Sequence, residues 1–346
     1  MPWKDRFNQI KNEFNGIMGG GQQQQQQPQQ YYQQQQPQQY YQQQPPPVPG
    51  NYPGNNQQQP PPVPPHPDQQ GGGQPPPVPQ HPPQGSRVYW QPQFLPHVPI
   101  SHEWDAKTGH GTDGWGNHEL QNYTDQSQNA FHTQDGRLVL RAVANNSAGD
   151  GDQKYTSARL VSKQTLTHDR GVLTAIILSP GAEGIWPAFW LLPREPFAWP
   201  TDGEIDIAET WNGDGENHSC LHWGQHDQGD KHRVLGTRVP DMHRRPVQYD
   251  FAWDQTGGGQ GRMVWYIDGR PVMKCSVPEG TRPLRDMTVL LNVAMGGDVC
   301  QGKVPRDGAY DMVVFAMSMA HEMENGGWGR FDYDWGHPAI SGGNPY

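Results

Sequence analysis

The sequence predicts an all-β fold, a β-sandwich jelly roll preceded by a disordered Gln/Pro-rich tail, and three observations carry that prediction. Composition changes abruptly near Ser86, from glutamine, proline and glycine to a stretch holding every tryptophan except Trp3. Short runs rich in β-branched and aromatic residues then recur between turn signals, several of them alternating polar and apolar as a sheet with one solvated face requires. No long 3.6-residue periodicity is read in this half, so crossover helices are not expected and the strands should pack as an antiparallel sandwich.

Residues 1–20 carry Trp3, Phe7, Ile10, Phe14 and Ile17 at spacings of four, three, four and three, one apolar stripe on a short amphipathic helix. Gly19 to Gly21 end it. The stripe reads either as an anchor for a partner or membrane surface, or as a marginal helix that frays in water. Residues 21–86 have too few aliphatic side chains to offset the entropy of ordering and are expected to be disordered. Pro-Pro-Pro-Val-Pro recurs there from Pro45, Pro60 and Pro75, a period of fifteen residues. The repeat favours polyproline II and reads as a site for a polyproline-binding partner or as a plain linker.

Residues 87–346 are long enough for one large catalytic-size domain with a full core. Its strand-like runs include 137–143, 171–178, 263–267, 287–293 and 312–317. Asp135-Gly136 and Asp268-Gly269 are turn dipeptides, the second a hairpin signal between Tyr266 and Pro271.

The formal charge of −10 comes with no Lys/Arg stripe in this half, which argues against nucleic acid and favours a neutral or weakly charged ligand. Apolar stretches fall short of a transmembrane segment, and no signal peptide is read at the N-terminus, so a soluble chain outside the classical export route, cytoplasmic or non-classically exported, is expected. Cys220, Cys275 and Cys300 are too scattered for a disulfide framework or a metal site of recognisable spacing, and are expected to be buried thiols; no cofactor or metal is expected. Asn-x-Ser/Thr sequons occur at Asn122, Asn145 and Asn217.

The chemistry is concentrated in Asp202-Gly-Glu204-Ile-Asp206-Ile-Ala-Glu209-Thr-Trp211. Strand alternation puts Glu204 and Asp206 on one face and turns Ile205 and Ile207 into the core. Glu209 breaks this parity, and a one-residue bulge around Ile207 and Ala208 would return it to the same face. Three carboxylates in a row repel one another unless something uses them or one keeps its proton. Two acids flanking a sugar are the machinery of glycosidases, and an approach of roughly 5–5.5 Å predicts the retaining, double-displacement kind. Glu204 then reads as nucleophile, Glu209 as general acid/base, and Asp206 as the group that hydrogen-bonds the nucleophile. The bland alternatives are a solvated acidic strand and a calcium-binding patch. Trp186 and Trp190 lie just upstream, with Trp211, His222 and Trp223 just downstream; two or three of these five should face a cleft as sugar platforms.

Gly203-Glu-Ile-Asp-Ile-Ala-Glu209, with Gly184-Ile-Trp-Pro-Ala-Phe-Trp190, resembles glycoside hydrolase family 16, the laminarinase and lichenase jelly rolls of concanavalin-like architecture. Trp115-Gly-Asn117-His-Glu119-Leu-Gln-Asn-Tyr-Thr124 and Tyr155-Thr-Ser-Ala-Arg159-Leu160 resemble further pieces of it, and the likeness runs from about Glu103 to Phe315. The two residues between Asp206 and Glu209 are similar to the β-1,3-glucanase branch. The resemblance implies a β-glucan substrate, catalytic roles for Glu204, Asp206 and Glu209, and sugar contacts by Asn117, Glu119, Arg159, Trp186, Trp190, Trp211 and His222. Phe315 stands where many members place an aspartate for a structural calcium, so that metal is not expected. A β-glucan transglycosylase would share the same acids and the same first half-reaction, whereas a non-catalytic glucan-binding module would have no need of them.

Overall fold

The computed structural model describes residues 87–225, 230–257 and 259–345. The amphipathic stretch 1–20 and the low-complexity tail 21–86 lie outside the described residues. Numbered in chain order, the strands form two sheets. The first runs β18 (Asn344–Pro345), β12 (Asp230–Arg238), β11 (Glu216–Gly224), β10 (Glu204–Glu209), β9 (Ile185–Pro193), β16 (Met287–Met295), β7 (Arg159–Thr165) and β2 (Trp104–Lys107). The second runs β15 (Arg270–Ser276), β14 (Arg262–Ile267), β13 (Val247–Asp254), β8 (Arg170–Leu178), β17 (Gly308–Ala320), β5 (Leu138–Ala144), β6 (Tyr155–Ser157) and β3 (Asn122–Tyr123), with β1 (Val88–Trp90) on β17 and β4 (Ala130–His132) on β5. Pairing is antiparallel except between β3 and β6.

Period-2 alternation explains the layering. Ile205 and Ile207 of β10, Val289, Leu291, Val293 and Met295 of β16, and Phe251, Trp253 and Trp265 of the opposite sheet meet in one continuous core. Each fully buried aliphatic side chain there contributes about 1.5–3 kcal/mol of transfer free energy. All nine residues of β16 are buried; on its outer face Asn292 accepts from Trp190, and Ala294 clusters with Trp186, Val299 and Cys300. The predicted Asp268-Gly269 hairpin joins β14 to β15, with Tyr266 opposite Pro271 and both turn residues at positive φ.

One element goes beyond the strands read from the sequence. Residues Gly327–Gly336 form a ten-residue helix, α2, the short α1 being Gly151–Lys154. Trp328, Phe331 and Trp335 recur at spacings of three and four and pack on Val172, Ala252, Val264 and Tyr266, the outer face of the second sheet. Three glycines and the short length obscure the pattern, and packing against an apolar sheet face supplies what propensity does not. Phe315 sits where β17 shifts register against β8, its ring 4.3 Å below the Arg137 guanidinium.

Candidate active site

The site is built on β10. Pairing with β9 runs Ile205–Leu191, Asp206–Trp190, then Ala208–Phe189 and Glu209–Ala188, so Ile207 is the extra residue of a bulge. Ile207 and Ala208 consequently both enter the core, and Glu209 returns to the face of Glu204 and Asp206. A bulge leaves backbone groups without ladder partners. Here the Ile207 carbonyl accepts from Asn217 Nδ2 at 3.3 Å and from Ser219 Oγ at 3.5 Å, both on β11 and both fully buried. One residue back, the Asp206 carbonyl accepts from the Trp265 indole at 3.0 Å, a bond that crosses the sandwich from the second sheet. The Asn217 sequon is thus occupied by a structural duty that no chain-linked sugar could share.

The three acids differ in environment. Trp199 Nε1 donates to Glu204 Oε2 at 2.8 Å. Trp186 Nε1 donates to Glu209 Oε1 at 2.6 Å. Burial raises the Glu209 carboxyl from 4.5 to about 7; the Trp186 bond opposes the rise and the Glu204 charge adds to it. Asp206, only 5% exposed, is held well above the ordinary carboxyl range, first by burial and then by repulsion from Glu204 and Glu209. Burial and mutual repulsion thus both favour the protonated forms of Asp206 and Glu209.

Around the acids the resemblance-derived residues separate into groups. Asn117 Nδ2 and Gln121 Nε2 donate to Glu119 at 3.1 and 2.6 Å, and burial lifts the Glu119 carboxyl above its usual range while Arg159 opposes that. The Arg159 guanidinium lies 4.6 Å from the Trp115 ring and 4.8 Å from the Trp190 ring, held between two indoles. Trp190 Nε1 donates to Asn292 Oδ1 of β16 at 2.7 Å. His222, opposite Glu204 across the β10–β11 pair, places Nε2 3.6 Å from Asp206 Oδ2. Trp211 stacks on His218 with centroids 3.9 Å apart, beside the small cluster containing Trp186. Trp223 lies two residues from Leu221 on β11 and packs against the inter-sheet core rather than with the acids.

Asn117 and Trp115 sit on a segment with left-handed backbone at Asp113, Trp115 and His118. Such residues cost of order 1–3 kcal/mol each and persist only when the surroundings fix them. The anchor is the exit of β16: Asp298 N donates to the Asn117 carbonyl, and a Cβ on Gly297 would come within 2.5 Å of that oxygen. Sequence reasoning missed Trp115, Gln121, Trp199, Asn217 and Asn292. Of these, Trp115 and Gln121 lay inside the segment that carries the resemblance, and Trp199 stands five positions before Glu204 in a Trp-Pro pair.

A β-sandwich with two glutamates and an aspartate on one strand face, walled by indoles, is the architecture of a two-carboxylate glycosidase. The sequence pattern of the XgeA-like, catalytic GH16 domain matches residues 104–255. A glucan endo-1,3-beta-glucosidase of Cryptopygus antarcticus is 31% identical over 214 residues, covering 56% of this chain and 75% of the relative. A beta-glucanase of Rhodothermus marinus is 30% identical over 232 residues, covering 61% of this chain and 76% of the relative. The laminarinase structure from Rhodothermus marinus superposes with a TM-score of 0.58 at 27% identity, covering 68% of this chain and 98% of that one. Two larger relatives are spanned only to 35% and 30% of their length. The chain belongs to glycoside hydrolase family 16.

Proposed function

We propose that this chain is an endo-β-glucanase that hydrolyses internal β-1,3-glucosidic bonds with retention of configuration, mixed-linkage β-1,3/1,4-glucan being the alternative substrate. The observation that carries the reading is the pairing of Glu204 with a half-buried Glu209 whose carboxyl sits at about 7 on the same strand face. Glu204 attacks the anomeric carbon and forms a glycosyl ester as the bond to the departing sugar breaks, and Glu209 gives its proton to the departing oxygen. Glu209, now ionised, takes a proton from water, which attacks the ester and frees Glu204. Asp206, held well above the usual carboxyl range by burial and by the charges of Glu204 and Glu209, is given the role of hydrogen-bonding the nucleophile, and the neighbouring His222 opposes its rise.

The test compares wild type with Glu204→Gln on laminarin, mixed-linkage glucan and a β-1,3-oligosaccharide, following products by size. Shorter products from wild type and none from the variant are expected, with laminarin the preferred polymer. Oligomers longer than the starting oligosaccharide would replace hydrolysis by transfer, and equal action by both proteins would remove Glu204 from its role.

A further inference from the structure

The reaction leaves the thiol of Cys220 without a task. Cys220 and His222 stand two apart on β11, so both side chains leave the same face, and register sets Cys220 opposite Asp206. Cys220 Sγ is 3.2 Å from His222 Nε2, which is 3.6 Å from Asp206 Oδ2. All three donor atoms lie within 4.8 Å of one another. A tetrahedral ion with bonds of roughly 2.3 Å to sulfur and 2.0–2.1 Å to nitrogen or oxygen holds its ligands about 3.3–3.6 Å apart. The two measured separations agree with that spacing to within a few tenths of an ångström.

We propose that Asp206, Cys220 and His222 form a binding site for a thiophilic divalent cation of the zinc type. The donor set, one sulfur, one imidazole nitrogen and one carboxylate oxygen, selects zinc over magnesium or calcium. Three protein ligands leave a fourth position for water. Glu204 and Glu209 lie along the same strand face, so the local field attracts a dication. On binding, the protons of the Cys220 thiol and of the Asp206 carboxyl both leave to solvent, so that sulfur coordinates as thiolate and oxygen as carboxylate. Occupancy withdraws Asp206 from the acid row, so the ion is an inhibitor. That last consequence rests on the glycosidase reading, whereas binding does not.

The metal-free 346-residue chain is titrated with Co²⁺, following thiolate-to-cobalt charge-transfer absorption, then with Zn²⁺ as competitor. One ion per chain is expected, displaced by Zn²⁺, with laminarin hydrolysis falling in parallel, restored by a chelator and unaffected by Mg²⁺. Cys220→Ser loses the absorption, Cys275→Ala and Cys300→Ala keep it, and His222→Gln weakens binding by at least about tenfold. Absorption that survives Cys220→Ser, vanishes in Cys275→Ala or Cys300→Ala, or never appears in wild type overturns the site. So does equal inhibition by Mg²⁺. Wild type that binds cobalt yet releases no sugar refutes the glycosidase reading and leaves the metal site standing.

Discussion

Replacing Glu209 by Gln is expected to slow hydrolysis severely and, at the same time, to stabilise the fold at high pH. The folded carboxyl titrates at about 7 against an ordinary 4.5, so between those values the native state binds more protons than the unfolded chain. Stability therefore falls as pH rises through that window, and above it the loss is complete. At roughly 1.4 kcal/mol per pH unit the rise amounts to about 3 kcal/mol at most. Gln keeps an oxygen for the Trp186 indole and never ionises. For a domain of this size the gain translates to roughly 5–10 °C in Tm. Thermal unfolding of both proteins at pH 4 and pH 8 checks this: the curves should nearly coincide at pH 4 and separate at pH 8. An equal difference at both pH values would refute the argument that burial, rather than general packing, sets the Glu209 proton affinity. The same group predicts that wild-type hydrolysis declines above about pH 7, as the general acid loses its proton, and that the variant loses about 10²–10⁴ in rate.

Asn217→Ala leaves the Ile207 carbonyl with Ser219 alone, so stability should fall by about 1–3 kcal/mol and kcat should fall more than KM rises, read by denaturant unfolding and laminarin kinetics. Arg159→Lys removes a planar cation from between Trp115 and Trp190, and KM for long β-1,3-oligosaccharides should rise by roughly tenfold while the melting temperature moves little. Trp199→Phe deletes the indole donor to Glu204 and should lower kcat by roughly tenfold; an unchanged kcat would show that the bond does not hold the nucleophile.

Much of this site was legible because its anomaly was local. Three acids at 204, 206 and 209 cannot share a strand face without a bulge, and the bulge at Ile207 is where parity required it. The strands of the core were readable from alternation, and the β14–β15 hairpin from a two-residue turn. What stayed hidden depended on register between strands distant in sequence. Asn292 and Trp190 are 102 positions apart, and nothing in either segment announces the other. Asn217 looked like a glycosylation signal because its partner is a backbone oxygen that exists only once β10 is kinked. Cys220 is the buried thiol the sequence suggested, but that it faces Asp206 follows only from the β10–β11 register. Helix α2 was missed although its aromatic stripe was in view, since its stability comes from the sheet beneath it.

The bond from Trp265 to the Asp206 carbonyl makes the floor of the cleft part of the molecule's most protected layer. Amide hydrogens of β10 and β16 should exchange with solvent only through global opening, hours behind those of the 113–119 segment. A floor so tethered does not deform around its ligand. Whatever ring distortion the reaction requires must then be borne by the sugar, and mobility in catalysis belongs to the walls.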